Sequence, residues 1–412
     1  MKEVLYISYD GMTDPLGQSQ VLPYLQRLSK LGYRFTVLSF EKKDRFKKEK
    51  KIIETITSES GIKWIPLSFT AKPPVIAKIW DRYRMWQKAL KLYKKNKYDL
   101  IHCRSYLAAE VGLKLKQQFG VKFLFDMRGF WADEKVDNGQ WNLEYPFYKR
   151  IYRHYKAKEK EFLLHADGIV SLTQAAKNYL LADSDYAHLR IEVIPCCADL
   201  SHFDYQKLAE ADIRSLKHSL GLSEQAKIIT YLGSVGGWYM TEEMFRFFKI
   251  VNKQYPDYNM MILTKDDPLI VKSEIAKFDI PSEKVIVTYS DRNSLPLYLA
   301  LSDYGIFFIR NSFSKKASSP TKHGELMGMG IPVICNTIGD TGNIVSTTNT
   351  GFVVDNFSEA NMFEIAKKII TCPRPAKDHI RNCAKSYFNL DGGTKKYLSV
   401  YTQIFNNASV NN

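Results

Sequence analysis

A phosphate is held well where unpaired helix N–H groups, a hydroxyl and an ammonium converge. The stretch Ser318-Ser319-Pro320-Thr321-Lys322-His323-Gly324-Glu325-Leu326-Met327-Gly328-Met329-Gly330-Ile331-Pro332-Val333 offers all three. Pro320 suits the first turn of a helix, so Ser319, Thr321 and Lys322 would face an anion at its start. Glu325 follows three and four residues after Lys322 and Thr321, on the same face, where a carboxylate can accept hydrogen bonds from ribose hydroxyls. A capped helix with a solvated lysine and glutamate explains the same residues equally well. Gly328 and Gly330 are poor helix formers, which points to a close approach to a neighbour or a ligand.

Other polar clusters stand where apolar, strand-like runs stop. Leu232-Gly233-Ser234-Val235-Gly236-Gly237-Trp238 lies between such a run and the helical stretch 242–251, so Gly233, Ser234 and Gly236 could bring backbone against a diphosphate. Its spacing is not the GxGxxG of dinucleotide sites. Ile101–Tyr106 contains His102, and Phe125–Glu134 contains Asp126 and Arg128. Asp126 and Arg128 are the candidates for catalysis, with His102 behind them; a lone histidine ending a strand also suits a purely structural role. Asp183-Ser184-Asp185 spells a DxD metal motif but stands between a helix and the run Ile191–Ile194, away from any such loop, and reads as a surface turn. No His/Cys/Asp cluster suggests a metal, and no serine elbow suggests a hydrolase.

The elements that must position these residues alternate. Val4–Tyr9, Phe35–Phe40, Leu100–Cys103, Val121–Phe125, Gly168–Leu172 and Ile191–Ile194 are short apolar runs separated by helix-length segments. The rhythm restarts after Asp199 with Ile228–Leu232, Met260–Leu263, Val285–Val287, Tyr304–Phe308, Pro332–Cys335 and Phe352–Val354. This predicts an α/β fold of two Rossmann-like, doubly wound parallel sheets facing a cleft, with ligands at the carboxyl ends of the strands. The expected domains are 1–199 and 200–388. A last helix within 389–412 is expected to pack back on the first. The first helix is predicted from Gln18 to Gly32.

Composition narrows the class. A chain of 412 residues with 45% apolar and 25% charged residues is ordinary for two globular domains. No apolar stretch is long enough to cross a bilayer, and no signal-peptide core follows the start, so a cytoplasmic location is expected. The six cysteines lack CxxC spacing and are read as buried thiols. Net charge is +15, of which residues 1–200, with 35 Lys and Arg against 23 Asp and Glu, carry +12 and the remainder +3. That asymmetry implies an anionic partner for the first half.

From Glu325 to Val333 the chain resembles the Glu-Ala-Met-Ala-x-Gly-x-Pro-Val ending of the retaining family 4 glycosyltransferases of the GT-B fold, and Ser-Pro-Thr-Lys-x-x-Glu is similar to a subgroup of bacterial capsule, O-antigen and exopolysaccharide enzymes. Ala317 stands where the family has its first glutamate. The resemblance implies that Tyr9–Gln20 is the family's glycine loop, with Gly17 kept near the donor. It also implies that Ser234 and Tyr239 stand roughly where relatives place an Arg and a Lys, leaving more of the phosphate charge to Lys322 and Arg310. The activity implied is metal-independent, retaining transfer of a sugar from a nucleotide-diphosphate donor, UDP- or GDP-linked, to a glycan or polyprenyl-linked acceptor, with no cofactor. The departing phosphate would take the acceptor's proton.

The basic aromatic stretches Lys78–Lys97 and Tyr145–Phe162 fit either core helices with solvated faces or peripheral contact with an anionic membrane, on the inner face of the plasma membrane. The charge asymmetry favours the second. A sugar-nucleotide epimerase of the same architecture and an inactive binding protein are the alternatives. Nucleic acid is not expected as a partner, because no recognition-helix or RNP pattern accompanies the charge.

Overall fold

The structure is a computed structural model describing residues 1–406, apart from the side chains of Pro74 and Val75. Residues 407–412, the end of the expected C-terminal segment, lie outside it. The chain divides into two compact units. The first holds Met1–Cys196, Lys316–Ser318 and the C-terminal segment from Leu390; the second holds Cys197–Lys315 and Ser319–Asn389.

In the first unit seven parallel strands, β1 (Lys2–Ser8), β2 (Tyr33–Glu41), β3 (Lys63–Ser68), β4 (Leu100–Arg104), β5 (Lys122–Asp126), β6 (Gly168–Ser171) and β7 (Ile191–Val193), lie in the order β3-β2-β1-β4-β5-β6-β7. Helices cover both faces, so β1, β4 and β5 bury nearly every residue, and their sequences read as continuous apolar runs rather than alternating ones. β3 is the strand that the sequence pattern does not predict: it contains Pro66, sits at the sheet edge and is only half-buried. The crossover helices are α1 (Pro15–Gln20), α2 (Leu22–Ser29), α3 (Lys43–Glu59), α4 (Pro74–Asn96), α5 (Ser105–Phe119), α6 (Trp131–Asp137), α7 (Pro146–His165) and α8 (Gln174–Leu181). The single helix predicted over Gln18–Gly32 is thus two. Pro23 lacks the N–H to continue α1, and the chain turns at Val21 (φ −125°, ψ −66°) before Pro23 enters the first turn of α2.

The second unit repeats the plan. Strands β8 (Lys227–Leu232), β9 (Tyr258–Leu263), β10 (Val285–Thr288), β11 (Tyr304–Phe307), β12 (Val333–Cys335) and β13 (Gly351–Val353) form a parallel sheet in the order β10-β9-β8-β11-β12-β13. Its helices are α9 (Glu210–Ser219), α10 (Thr241–Gln254), α11 (Pro268–Ala276), α12 (Leu295–Ala300), α13 (Thr321–Gly328), α14 (Thr341–Thr348), α15 (Glu359–Thr371) and α16 (Lys377–Phe388). In both sheets the strand order reverses beside the first strand, between β1 and β4 and between β8 and β11, which is where open α/β sheets leave a crevice for ligands.

The last helix, α17 (Leu390–Asn406), belongs to the first unit. Its aromatic rings meet those of the sheet side: Tyr397 packs on Tyr24 (5.2 Å between centroids) and Tyr401 on Tyr33 (5.0 Å). Gly168 lets it approach, since a Cβ there would stand 2.8 Å from Ile404. The cysteine reading needs correction. Cys103, Cys196, Cys197 and Cys335 are buried, but Cys372, just past α15, is exposed and Cys383 on α16 is half-buried. Asp183–Asp185 is a surface turn in which Asp185 pairs with Lys160 at 2.5 Å. Among the described residues no helix is long and apolar enough to cross a membrane.

Candidate active site

The candidate residues fall into two sets, one in each unit. In the second unit the loop after β8 and the loop after β11 are zipped together: Tyr239 and Ile309 form an antiparallel bridge, the Arg310 amide donates to the Trp238 carbonyl (2.9 Å) and the Met240 amide to that of Phe308 (2.9 Å). This fixes Tyr239 beside α13. Pro320 is the N-cap of α13, one place earlier than a first-turn proline, and the helix starts at Thr321.

Lys322 projects from that start and is buried, at 5% exposure, so the reading of a solvated lysine does not hold. Its Nζ has no hydrogen-bond partner among the described residues. It lies instead over two aromatic faces, 3.5 Å from the ring centroid of Tyr239 and 4.4 Å from that of Tyr231. Burial pushes the ammonium well below the ordinary lysine range, against the pull of Glu325. Gly233 has to be glycine here for two reasons: its φ is +135°, and a Cβ would stand 2.7 Å from Lys322 Nζ.

Glu325, one turn on, is 8% exposed and 3.8 Å from Arg292 Nη1; burial raises its carboxyl, while Arg292 and Lys322 oppose the rise. Ser319 and Thr321 are half-buried, Ser234 is exposed, and Gly236 (φ +80°) has open space where a side chain would be. Arg310 is exposed. His323 is a core ring between Phe307 and Phe388 (5.6 and 4.8 Å), held by burial at a pKa of about 3.

What holds α13 in place is legible in its glycines. A Cβ on Gly324 would stand 2.8 Å from Phe388 of α16, and one on Gly328 would stand 2.8 Å from Leu200. The glycines serve contact with neighbouring protein, not with a ligand. Buried Arg381 of α16 then ties the same neighbours, donating to the carbonyls of Leu200 (2.8 Å), Phe203 (2.6 Å) and Gly328 (2.5 Å) while paired with Asp204 (2.9 Å).

In the first unit β1, β4 and β5 bring Tyr6, His102 and Asp126 together, because His102 is in register with Tyr6, and Arg104 with both Ser8 and Asp126. Asp126 is 1% exposed. Its Oδ2 accepts from Tyr397 of α17 (2.9 Å) and lies 3.5 Å from His102 Nε2, while its Oδ1, 3.7 Å from Arg128 Nη1, has no hydrogen-bond partner among the described residues. Burial alone would raise this carboxyl; Arg128, His102 and Arg104 override it and hold it at about 2. His102 Nδ1 meets the Tyr401 hydroxyl at 2.7 Å. With Asp126 ionised, His102 carries its proton on Nε2 and accepts from Tyr401. Burial keeps the ring neutral, against the pull of Asp126. Both nitrogens are engaged within the unit, so in this state His102 is a support for Asp126.

The Arg128 side chain is 9% exposed; the residue takes φ +59° and donates through Nη2 to Cys196 Sγ (3.4 Å). The loop after β1 is anchored by buried Glu41, which accepts from the amides of Met12 (2.9 Å) and Thr13 (3.0 Å) and from the Thr13 and Ser39 hydroxyls (2.5 Å each). Gly17 is buried against this loop: its Cβ would stand 2.3 Å from the Gly11 carbonyl oxygen. Sequence reasoning did not single out Tyr231, Arg292, Glu41, Arg104, Tyr397 or Tyr401. The i, i+4 spacing of Tyr397 and Tyr401 on one helix face was the only signal for that pair.

Residues 18–202 match the model for Glycosyltransferase Family 4. Over that segment, 185 of the 412 residues, the chain is similar to that family. A curated relative, alpha-monoglucosyldiacylglycerol synthase from Streptococcus pneumoniae, is 21% identical over 280 residues; the match takes in 64% of this chain and only 57% of that protein's length. Sucrose-phosphate synthase from Thermosynechococcus elongatus superposes with a TM-score of 0.71 over 98% of this chain and 99% of its own, at 16% identity. HepE of Anabaena, solved in complex with UDP and glucose, gives 0.70 over 98% of this chain and 100% of its own, at 12% identity. Likeness at such identities shows the GT-B fold. The family match lies in the first half of the chain, whereas the motif that resembles the family lies in the second.

Proposed function

We propose that the protein transfers a sugar from a nucleotide-diphosphate donor, UDP- or GDP-linked, to a glycan or polyprenyl-linked acceptor, with retention of configuration and without metal, in cell-surface polysaccharide synthesis. The observation that carries this reading is Lys322 Nζ, buried at a helix start with no hydrogen-bond acceptor among the described residues. A diphosphate supplies that acceptor. Charge developing on the leaving phosphate would meet Lys322, the first amides of α13 and those of the Gly233–Gly237 loop, all fixed beforehand, which is how a preorganised site lowers a barrier. Glu325 would accept from ribose hydroxyls. In the first unit, Asp126 Oδ1 is the acceptor left for an incoming hydroxyl, and the departing phosphate would take its proton.

The capture of UDP and glucose by HepE supports the donor class, and the name of the streptococcal relative supports a lipid-borne acceptor. Membrane contact on the cytosolic side is supported by side chains at the starts of α4 and α7, both of which begin at the carboxyl end of the first sheet: Ile76, Ile79, Trp80 and Tyr83, and Tyr145 and Phe147, are each more than half exposed. Lys149, Arg150 and Arg153 follow on α7.

Thermal-shift screening against UDP-, GDP- and dTDP-sugars tests the donor site. One donor class is expected to stabilise the protein, and Lys322→Ala and Glu325→Ala are each expected to abolish that response without unfolding it. Undiminished donor binding in both variants would remove the basis of the reading. Following nucleotide release with and without membrane lipid separates transfer from epimerisation, which needs no acceptor.

A further inference from the structure

The first unit buries more positive charge than its reading as an Asp126 site requires. Arg104 ends β4 in register with Asp126, and Arg128 follows Asp126 by two residues. Their side chains are 5% and 9% exposed. The one buried carboxylate beside them is also the acceptor for Tyr397. Arg104 Nη1 and Arg128 Nε have no hydrogen-bond partner among the described residues, although each is a fixed N–H donor shut from water. Arg128 also holds a left-handed backbone, a setting that folds retain at sites of binding. The second counter-ion of Arg104 is Asp10, which reaches Nε over 3.4 Å and is 49% exposed. Asp10 stands at the rim, in the loop after β1, and can turn to water.

We propose that Arg104 and Arg128 bind the phosphate of a phosphorylated acceptor, which displaces Asp10 from Arg104. A phosphate brings about two charges and three acceptor oxygens, a match for planar guanidinium forks that one long carboxylate contact does not provide. It would satisfy Arg104 Nη1 and Arg128 Nε together, leaving Asp126 Oδ1 for a hydroxyl of the same ligand. Only the word acceptor rests on the transferase reading; the anion site stands without it. A lipid headgroup and a soluble sugar phosphate carry the same group.

Binding is measured without nucleotide donor, so that its failure is distinct from failure of the donor site. The probes are glycerol 3-phosphate, with glycerol as its uncharged partner, and phosphatidylcholine vesicles with and without phosphatidate. Glycerol 3-phosphate or phosphatidate is expected to stabilise the full-length protein and glycerol is not. Arg104→Gln and Arg128→Gln are each expected to weaken the response roughly thirtyfold or more, Asp10→Asn to tighten it about two- to fivefold, and Lys322→Ala to leave it unchanged. A response to vesicles alone assigns the phosphate to a lipid, and a response to the soluble probe assigns it to a free metabolite. No response to any phosphate probe, a response that survives both glutamine variants, or one that vanishes in Lys322→Ala overturns the proposal. Should the glutamine variants fail to fold, Asp10→Asn decides: unchanged or weaker binding overturns it.

Discussion

Lys322 rests on two tyrosine rings instead of a carboxylate. Cation–π contact contributes about 0.5–2 kcal/mol, less than the several kcal/mol that an ammonium loses on leaving water. Burial therefore shifts Lys322 towards the neutral amine. The folded value lies below the ordinary 10.5 of the unfolded chain, so between the two the unfolded chain binds the extra proton. Stability accordingly rises with pH through that window and is lowest beneath it. Lys322→Met is expected to stabilise the donor-free protein by roughly 1–4 kcal/mol at neutral pH and to flatten the pH dependence of its unfolding midpoint. Binding calorimetry in buffers of different ionisation enthalpy should show proton uptake with donor in the parent protein. Lys322 and Glu325 were legible because helix-start chemistry is local. The ring beneath Lys322 was not, since Tyr239 reaches it through a pairing of two loops 70 residues apart, Tyr239 with Ile309.

Helices rather than strands decide how firmly the two residue sets are held. Tyr397 and Tyr401 sit one turn apart on α17 and donate to different partners, an ionised carboxylate and a neutral imidazole. Hydrogen bonds to charged groups contribute about 1.5–3 kcal/mol and neutral ones about 0.5–1.5. Tyr397→Phe should thus destabilise more than Tyr401→Phe, as urea midpoints would record; the reverse order would contradict the assigned proton on His102 Nε2. Twelve of the thirteen described strands were legible as apolar runs: the inner strands are buried on both faces, and the partly buried edge strands β10 and β13 keep apolar sequences. β3 was not, because a proline and exposed polar ends, Lys63 and Ser68, interrupt its apolar run. The break at Val21 was missed because periodicity passes through a proline that tolerates only a first turn.

For the whole molecule, charge and exposed aromatic side chains coincide in the first unit. Residues 1–200 carry +12, and Trp80 and Tyr83, each more than half exposed, stack on one another at 5.7 Å at the start of α4. The protein is expected to sediment with phosphatidylglycerol vesicles and not with phosphatidylcholine alone. It should be released near 1 M salt, where screening acts within about 3 Å, and weakened by Trp80→Ser with Tyr83→Ser. Release at high salt without any effect of the paired substitution would leave charge as the sole attraction. The two-sheet plan was legible in the restart of alternation after Asp199. The placement of Lys316–Ser318 in the first unit was not, because packing across hundreds of residues leaves no periodic trace.

The placement of α17 in the first unit sets an order of maturation. As the chain leaves the ribosome, the face bearing Tyr6, His102 and Asp126 emerges without its cover and waits for the entire second unit to be made. At about 5–20 residues per second this lasts roughly 10–40 s. The half encoded second can finish folding first, and the half encoded first is the one exposed to chaperones and proteases in the interval.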